Sequence, residues 1–431
     1  MTKAVVLKAR YVFPVTAAPI RDGAMAIQDG RIVAVGRSIA ITSDAASLVD
    51  LGNVALLPGL INAHTHLEFS DLPAPLGTPG IGLVDWIGRL MEYRRTLDSA
   101  AVASAVRHGL SESVGHGTVA LGEIAQPGWP PSEITAADPA ITLFLELIAP
   151  TAARVEGAIA MAREFIRAAD LKSQISNLKS KIQNPKYSRG LSPHSPYTVH
   201  PALLQAVAAL SAEHRVPLAM HLAESQEEME LLQSGSGPLR DLLEARGAWD
   251  GTVVRPGARP LDYLRTLECA HRLLVIHGNY LDAEEIAFLS ARRRQMAVIY
   301  CPRTHAWFVH APYPLQELIS AGVTVGLGTD GRGSSPDLSI LAEMRAVVQR
   351  HPQVARETVL RLGTLGGAAA LGLDSQLGSL EPGKAAALIA IALPDGDAAD
   401  PHDLLLTGQG QVVARWERKS LNRKRSAFPT P

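Results

Sequence analysis

Cysteine is scarce: Cys269 and Cys301 are the only two in 431 residues. They cannot build a disulfide framework, and a reducing compartment is the natural expectation. Neither belongs to a Cys-x-x-Cys pair, which excludes zinc sites that depend on that motif. Charge of one sign is also lacking. Lys and Arg total 41 and Asp and Glu 42, so the net charge is −1 and nothing draws the chain as a whole toward nucleic acid or an anionic membrane. No uninterrupted apolar run approaches the roughly 20 residues that span a bilayer. The opening MTKAVVLKAR has no long apolar stretch of the signal-peptide kind. A cytoplasmic protein without membrane or nucleic-acid partners is expected. The basic residues Arg415, Arg418, Lys419, Arg423, Lys424 and Arg425 read as a solvated tail.

What is present is apolar material, 47% of the chain against 19% charged, enough for a sizeable core. Its order changes along the chain. The first fifty-odd residues read as short strands, with Gln28-Asp29-Gly30 joining Ala24–Ile27 to Arg31–Val35 as a hairpin. Eight strand-like runs follow: Leu56–His64, Thr118–Ile124, Ile141–Ile148, Arg189–Pro193, Pro217–Leu222, Leu273–His277, Ala297–Cys301 and Val323–Thr329. Helical patterns separate most of them, among them Pro201–His214 and Asp282–Arg293. A further helix through Arg350 is expected to open at Ser335-Pro336-Asp337. Beyond about Leu371 short strands return, at Ala385–Ile391 and Gln411–Trp416. The pattern predicts an α/β protein: a (β/α)8 TIM barrel over residues 56–372, with a small composite β-sandwich built from residues 1–55 and 373–431. An imperfect seven-residue repeat, Leu171–Asn184, looks like an insertion and receives no chemical role.

Histidines mark the ends of these runs. His64-Thr65-His66 closes the first, and residues two apart in a strand face the same way, so both imidazoles aim at one point. His221, His277 and Asp330 each end later runs. A barrel gathers its strand ends on one face, so these five residues predict one transition-metal site, with Zn(II) and Fe(II) both suited to imidazole and carboxylate ligands.

The segments Leu57–His66 (LPGLINAHTH), Ser192–Thr198 (SPHSPYT), Met220–Glu224 (MHLAE), Val275–Gly278 (VIHG), Cys301–Thr304 (CPRT) and Leu327–Asp330 (LGTD) resemble, in order, motifs of the amidohydrolase superfamily. Within it they are similar to the branch of guanine, S-adenosylhomocysteine/methylthioadenosine and aminodeoxyfutalosine deaminases and triazine chlorohydrolases. The resemblance implies one divalent metal per chain, zinc or iron, held by His64, His66, His221 and Asp330. It also implies that His277 sits beside the metal-bound water, Glu224 shuttles protons and His194 touches a heterocyclic substrate. Metal-bound hydroxide would attack a ring carbon and ammonia would leave. Asp330 would take part by accepting the water's proton as well as by ligation. No lysine lies on the third or fourth run, so a carboxylated-lysine bridge between two metals is not expected. The chain departs from relatives at Gly331-Arg332-Gly333, a loop that two glycines should loosen, and at Ala387.

The function expected is hydrolytic deamination of an amino-substituted purine- or pyrimidine-like base or nucleoside, of adenosine or aminodeoxyfutalosine type. Triazine dechlorination, cyclic amide opening and an inactive metal-binding scaffold are the alternatives. A homo-oligomer is compatible with all of them. Four further residues are candidate substrate contacts. Trp86 either stacks on the ring or anchors the following helix. Glu68 either accepts hydrogen bonds from substrate hydroxyls or sits in a structural ion pair. Arg303 and His305, with His310, could form a polar wall.

Overall fold

In the computed structural model, which describes residues 4–37, 47–175 and 187–416, the eight runs become eight neighbouring parallel strands in chain order. They are Leu60–Thr65, Thr118–Ala125, Ala140–Leu147, Tyr187–Pro193, Leu218–Leu222, Leu273–His277, Met296–Tyr300 and Thr324–Leu327, called here barrel strands one to eight. The ring closes where strand one meets strand eight. Thr65 bridges Asp330, His66 N donates to Asp330 O (3.0 Å), and the amides of Thr329 and Asp330 both donate to His64 O. Asn62 braces the same seam: its amide donates to Thr329 Oγ1 (2.8 Å) and its oxygen accepts Thr329 N (3.1 Å). Apolar residues of both strand faces are fully buried, among them Leu60, Ile61, Leu274, Val275, Val298 and Ile299. Each such side chain stabilises the fold by about 1.5–3 kcal/mol.

The helix Pro201–His214 covers the stretch that its periodicity indicates, and Asp282 caps the helix Ala283–Ala291. The crossover from strand two to strand three contains only the single turn Pro131–Glu133. The helix expected to open at Ser335 opens later. It spans Ile340–Arg350, with Ser339 as its cap, because Ser335 is turned to Glu343 and Asp337 to Arg303. The first run also divides. Val54–Pro58 belongs to a second sheet, and strand one begins at Leu60. Gly59 makes the break. A Cβ there would lie 2.1 Å from Val119 Cγ1, so only glycine lets the chain pass.

That second sheet is built from both chain ends, in the order Val412–Trp416, Leu388–Ala392, Val54–Pro58, Val5–Val12, Ile20–Gln28, Arg31–Arg37, with Ser47–Asp50 beside Val5–Val12. Asp29 and Gly30, at φ 51° and 73°, turn the expected hairpin. The start of the Leu171–Asn184 repeat continues the helix Ala152–Ile175. The rest of it, and the basic tail beyond Trp416, lie outside the described residues. No described helix is long and apolar enough to cross a membrane.

Replacing Asn62 with alanine strands the buried amide of Thr329. We expect it to lower the unfolding free energy by about 2–3 kcal/mol, read as an earlier midpoint in chemical denaturation. An unchanged midpoint would show that the seam does not depend on this brace.

Candidate metal centre and active-site cavity

Five side chains converge over the carboxyl ends of the strands. His64 Nε2 and His66 Nε2 lie 3.2 and 3.5 Å from the same oxygen, Asp330 Oδ1. The ring of His64 is 5.0 Å from that of His221 and 5.6 Å from that of His277, centroid to centroid. In each of the sets His64, His66, His221 and His64, His277, Asp330, the potential ligand atoms fall within 4.8 Å of one another.

Neighbours fix how these groups point. His221 Nδ1 lies 3.2 Å from the carbonyl of His194. A carbonyl only accepts, so the proton sits on Nδ1 and Nε2 keeps its lone pair for a metal. Asp330 Oδ2 accepts Ser334 Oγ at 2.5 Å and Thr304 Oγ1 at 3.4 Å, which leaves Oδ1 facing the histidines. Tyr313 donates to His277 O (2.9 Å). Burial pushes all these imidazoles down, His221 to about 4 and His64, His66 and His277 well below their usual value. They are neutral, the state in which imidazole ligates. The donor set therefore fits one divalent transition metal.

Glu224 lies past the end of strand five. A regular strand would send it to the face opposite His221, but Ala223 adopts φ 54° and turns the chain. The amides of Ala223 and Glu224 are held by the buried Glu228 carboxylate (2.9 and 2.8 Å). The Glu224 carboxyl consequently stands 3.4 Å from His277 Nε2. Burial, with Asp330 second, raises its pKa well above the carboxylate range. His66, His221, His277, Asp330 and Glu224 line a cavity of about 550 Å³.

A protein-family model described as the amidohydrolase family matches residues 55–420. The chain belongs to the amidohydrolase family. It is a hydrolase on the family's barrel. A 5-methylthioadenosine/S-adenosylhomocysteine deaminase from Syntrophobacter fumaroxidans is 28% identical over 408 residues, covering 88% of this chain and 81% of that protein. An adenosine deaminase from Xanthomonas campestris, solved with bound zinc, is 26% identical with a TM-score of 0.74, covering 96% and 91% of the two chains. The aminofutalosine deaminase of Helicobacter pylori in complex with methylthio-coformycin shares the fold, with a TM-score of 0.80 at 21% identity and coverage of 96% and 98%.

The amidohydrolase cavity is lined by His66, His194, His221, Glu224, His277 and Asp330, and also by Glu68 and Trp86. His194 Nδ1 shares hydrogen bonds with Thr198 Oγ1 (2.7 Å) and Ser195 Oγ (3.0 Å), which holds the ring over the cavity. Trp86 lies in the helix Leu83–Arg95 with its ring in the cavity wall, and its Nε1 donates to Gly333 O (2.8 Å). The glycine loop is not loose. Gly333 O also accepts Leu76 N, and a Cβ at Gly333 would meet Trp86 at 3.1 Å, so glycine permits the indole's approach. Arg303 and His305 do not line the cavity. The Arg303 guanidinium is paired with Glu343 (2.6 Å) and Asp337 (2.8 Å), and His305 Nε2 donates to Ala311 O. His310 faces Tyr280. Three lining residues, Arg94, Gln126 and Glu146, were not singled out in the sequence. Gln126 directly follows strand two and Glu146 nearly ends strand three, so a search of strand ends for all polar residues, not histidine alone, would have found them.

Ser334→Ala removes the nearer of the two hydroxyls that donate to Asp330 Oδ2. Loss of such a support weakens metal binding about 10- to 100-fold, measurable by zinc competition with a chromogenic chelator. Wild-type affinity in this variant would show that Asp330 needs no such support.

Proposed function

We propose that this amidohydrolase is a metal-dependent hydrolytic deaminase of an amino-substituted purine nucleoside, of adenosine, methylthioadenosine or aminofutalosine type. The observation that carries the reading is Glu224, a buried carboxyl raised in pKa, 3.4 Å from His277 and beside the ligand cluster. A scaffold that only stored metal would have no use for such an acid. The names of the relatives support the same choice of reaction.

His64, His66, His221 and Asp330 would hold the ion. The chemistry an ion supplies there is Lewis acidity, which brings the pKa of water toward about 7. In the reaction, water adds to the ring carbon that bears the amino group, the carbon–nitrogen bond breaks, and ammonia leaves. Glu224 gives its carboxyl proton to the adjacent ring nitrogen, takes up one proton that the attacking water loses and passes it to the departing amine; the water's other proton, accepted by Asp330, restores the Glu224 carboxyl. His277 Nε2 hydrogen-bonds the attacking oxygen as charge develops on it. His194 positions the edge of the heterocycle, and Trp86 covers its face.

Glu224→Gln keeps shape but removes the proton carrier. Ammonia release should fall about 10²–10⁴-fold, while elemental analysis still finds about one metal per chain. Undiminished turnover would remove Glu224 from the chemistry, and chloride release from a triazine without ammonia from any nucleoside would replace the deaminase reading. Chelation should abolish ammonia release, and reloading with Zn(II) or Fe(II) in parallel should identify the working ion by the rate each restores. Full activity in metal-free protein would refute the metal assignment.

A further inference from the structure

Glu224 and His277, the pair proposed to move protons and to steady the attacking oxygen, stand where regular strand has ended. Strand five stops at Leu222, two residues before Glu224, and strand six stops at His277 itself. Ala223 and His277 both take left-handed backbone, at φ 54° and 67°, a conformation that persists at a non-glycine residue only where neighbours impose it. Each strand's exit is held by the next one. Gly278 N donates to Leu222 O (3.1 Å) and Tyr280 N to Ala223 O (3.2 Å), so the chain leaving strand six lies along the chain leaving strand five. Between these two bonds Asn279, which is 5% exposed, donates its side-chain amide to Glu224 O (2.7 Å). One strand further on, Tyr313 follows the short helix Pro302–Trp307 and donates its hydroxyl to His277 O (2.9 Å). Its buried ring is stacked on Tyr300 of strand seven, with centroids 3.7 Å apart and planes 15° apart, so the hydroxyl is delivered from a fixed base.

Glu224 is thereby gripped at both ends of its own backbone, because Glu228 accepts its amide and Asn279 donates to its carbonyl. Tyr313 does the same for the carbonyl of His277. What the two braces hold in common is the 3.4 Å approach of the Glu224 carboxyl to His277 Nε2. Neither Asn279 nor Tyr313 lines the cavity, so any effect they have on a reaction there runs through the residues they hold. A reacting group displaced by about 1 Å loses about 100-fold in rate. We propose that Asn279 and Tyr313 are positioning residues that keep Glu224 and His277 at their working distance, and so govern the chemical step rather than the binding of substrate or metal. The assignment rests on the deaminase reading and adds to it two residues that a substrate does not touch.

Asn279→Leu and Tyr313→Phe each remove one donor and nearly keep the side chain's shape. In the metal-loaded enzyme acting on adenosine or 5′-methylthioadenosine, kcat for ammonia release should fall about 10- to 100-fold in each variant. KM and the metal content per chain should stay at their wild-type values, the pattern of an interaction that matters only in the chemical step. Wild-type kcat in the variants would overturn the assignment. A deficit explained wholly by lost metal or a raised KM would overturn it too, because a merely structural role predicts that pattern. Either variant decides the matter if the other does not fold. Crystal structures give a reading that needs no substrate. The distance from the Glu224 carboxyl to His277 Nε2 should lengthen by about 1 Å in each variant relative to wild type, and an unchanged distance would refute the positioning role. If the wild-type enzyme releases ammonia from no nucleoside, the deaminase reading fails, and the crystal structures still decide whether these two donors hold the pair.

Discussion

The site depends on the closure between the first and eighth barrel strands. Three of the four proposed metal ligands flank that seam: His64 and His66 on one side, Asp330 on the other. The hydrogen bonds that close the barrel run through the ligands' own backbone, because His64 O accepts the amides of Thr329 and Asp330, and Asp330 O accepts His66 N. Closure and ligand assembly are therefore one event. Asp330 sits at φ 57°, His277 at 67° and Ala223 at 54°. Left-handed backbone at non-glycine residues costs about 1–3 kcal/mol each. All three fall where the chain leaves a strand and must aim a side chain back over the barrel mouth. The surrounding hydrogen bonds, from Glu228, Tyr313 and the seam itself, hold these conformations in place.

The same packing sets the electrostatics. Stripping water from the histidine cluster keeps its imidazoles neutral, which is the form that ligates a metal. Stripping water from Glu224 has the opposite sense for an acid and keeps it protonated, which is the form that can donate. One cause, burial, thus shifts the two kinds of group in opposite directions.

Much of this was legible in the sequence because strand ends are where a barrel brings residues together, and histidines there are conspicuous. The eight strands emerge in the order read from the apolar runs, and the chain ends form the second sheet. What escaped reading depends on contacts between distant segments. The break at Gly59 follows from Val119, sixty residues on. The start of the Ile340–Arg350 helix follows from Glu343 and Arg303 drawing Ser335 and Asp337 away from capping. Arg303 and His305 stand close behind Cys301 in the chain, but a helix begins at Pro302 and carries them off the cavity into internal pairs. Proximity along the chain to a strand end is not proximity to the site once a helix intervenes.

Polar residues without a metal-ligand signature were harder to read for another reason. Glu146 lies in a run whose neighbours Leu143, Phe144, Leu145 and Leu147 are all buried, and in such a run one glutamate looks like an interruption. Its meaning comes from position: alternation along strand three turns it toward the centre of the barrel mouth, where Gln126 and His194 arrive from the flanking strands. The cavity thus has an acidic, acceptor-rich region near a metal-binding region, with the indole of Trp86 also in its wall. Strand ends supply the acceptor Glu146 and the metal-binding side chains, while the turn and helix that follow strand one supply Glu68 and Trp86.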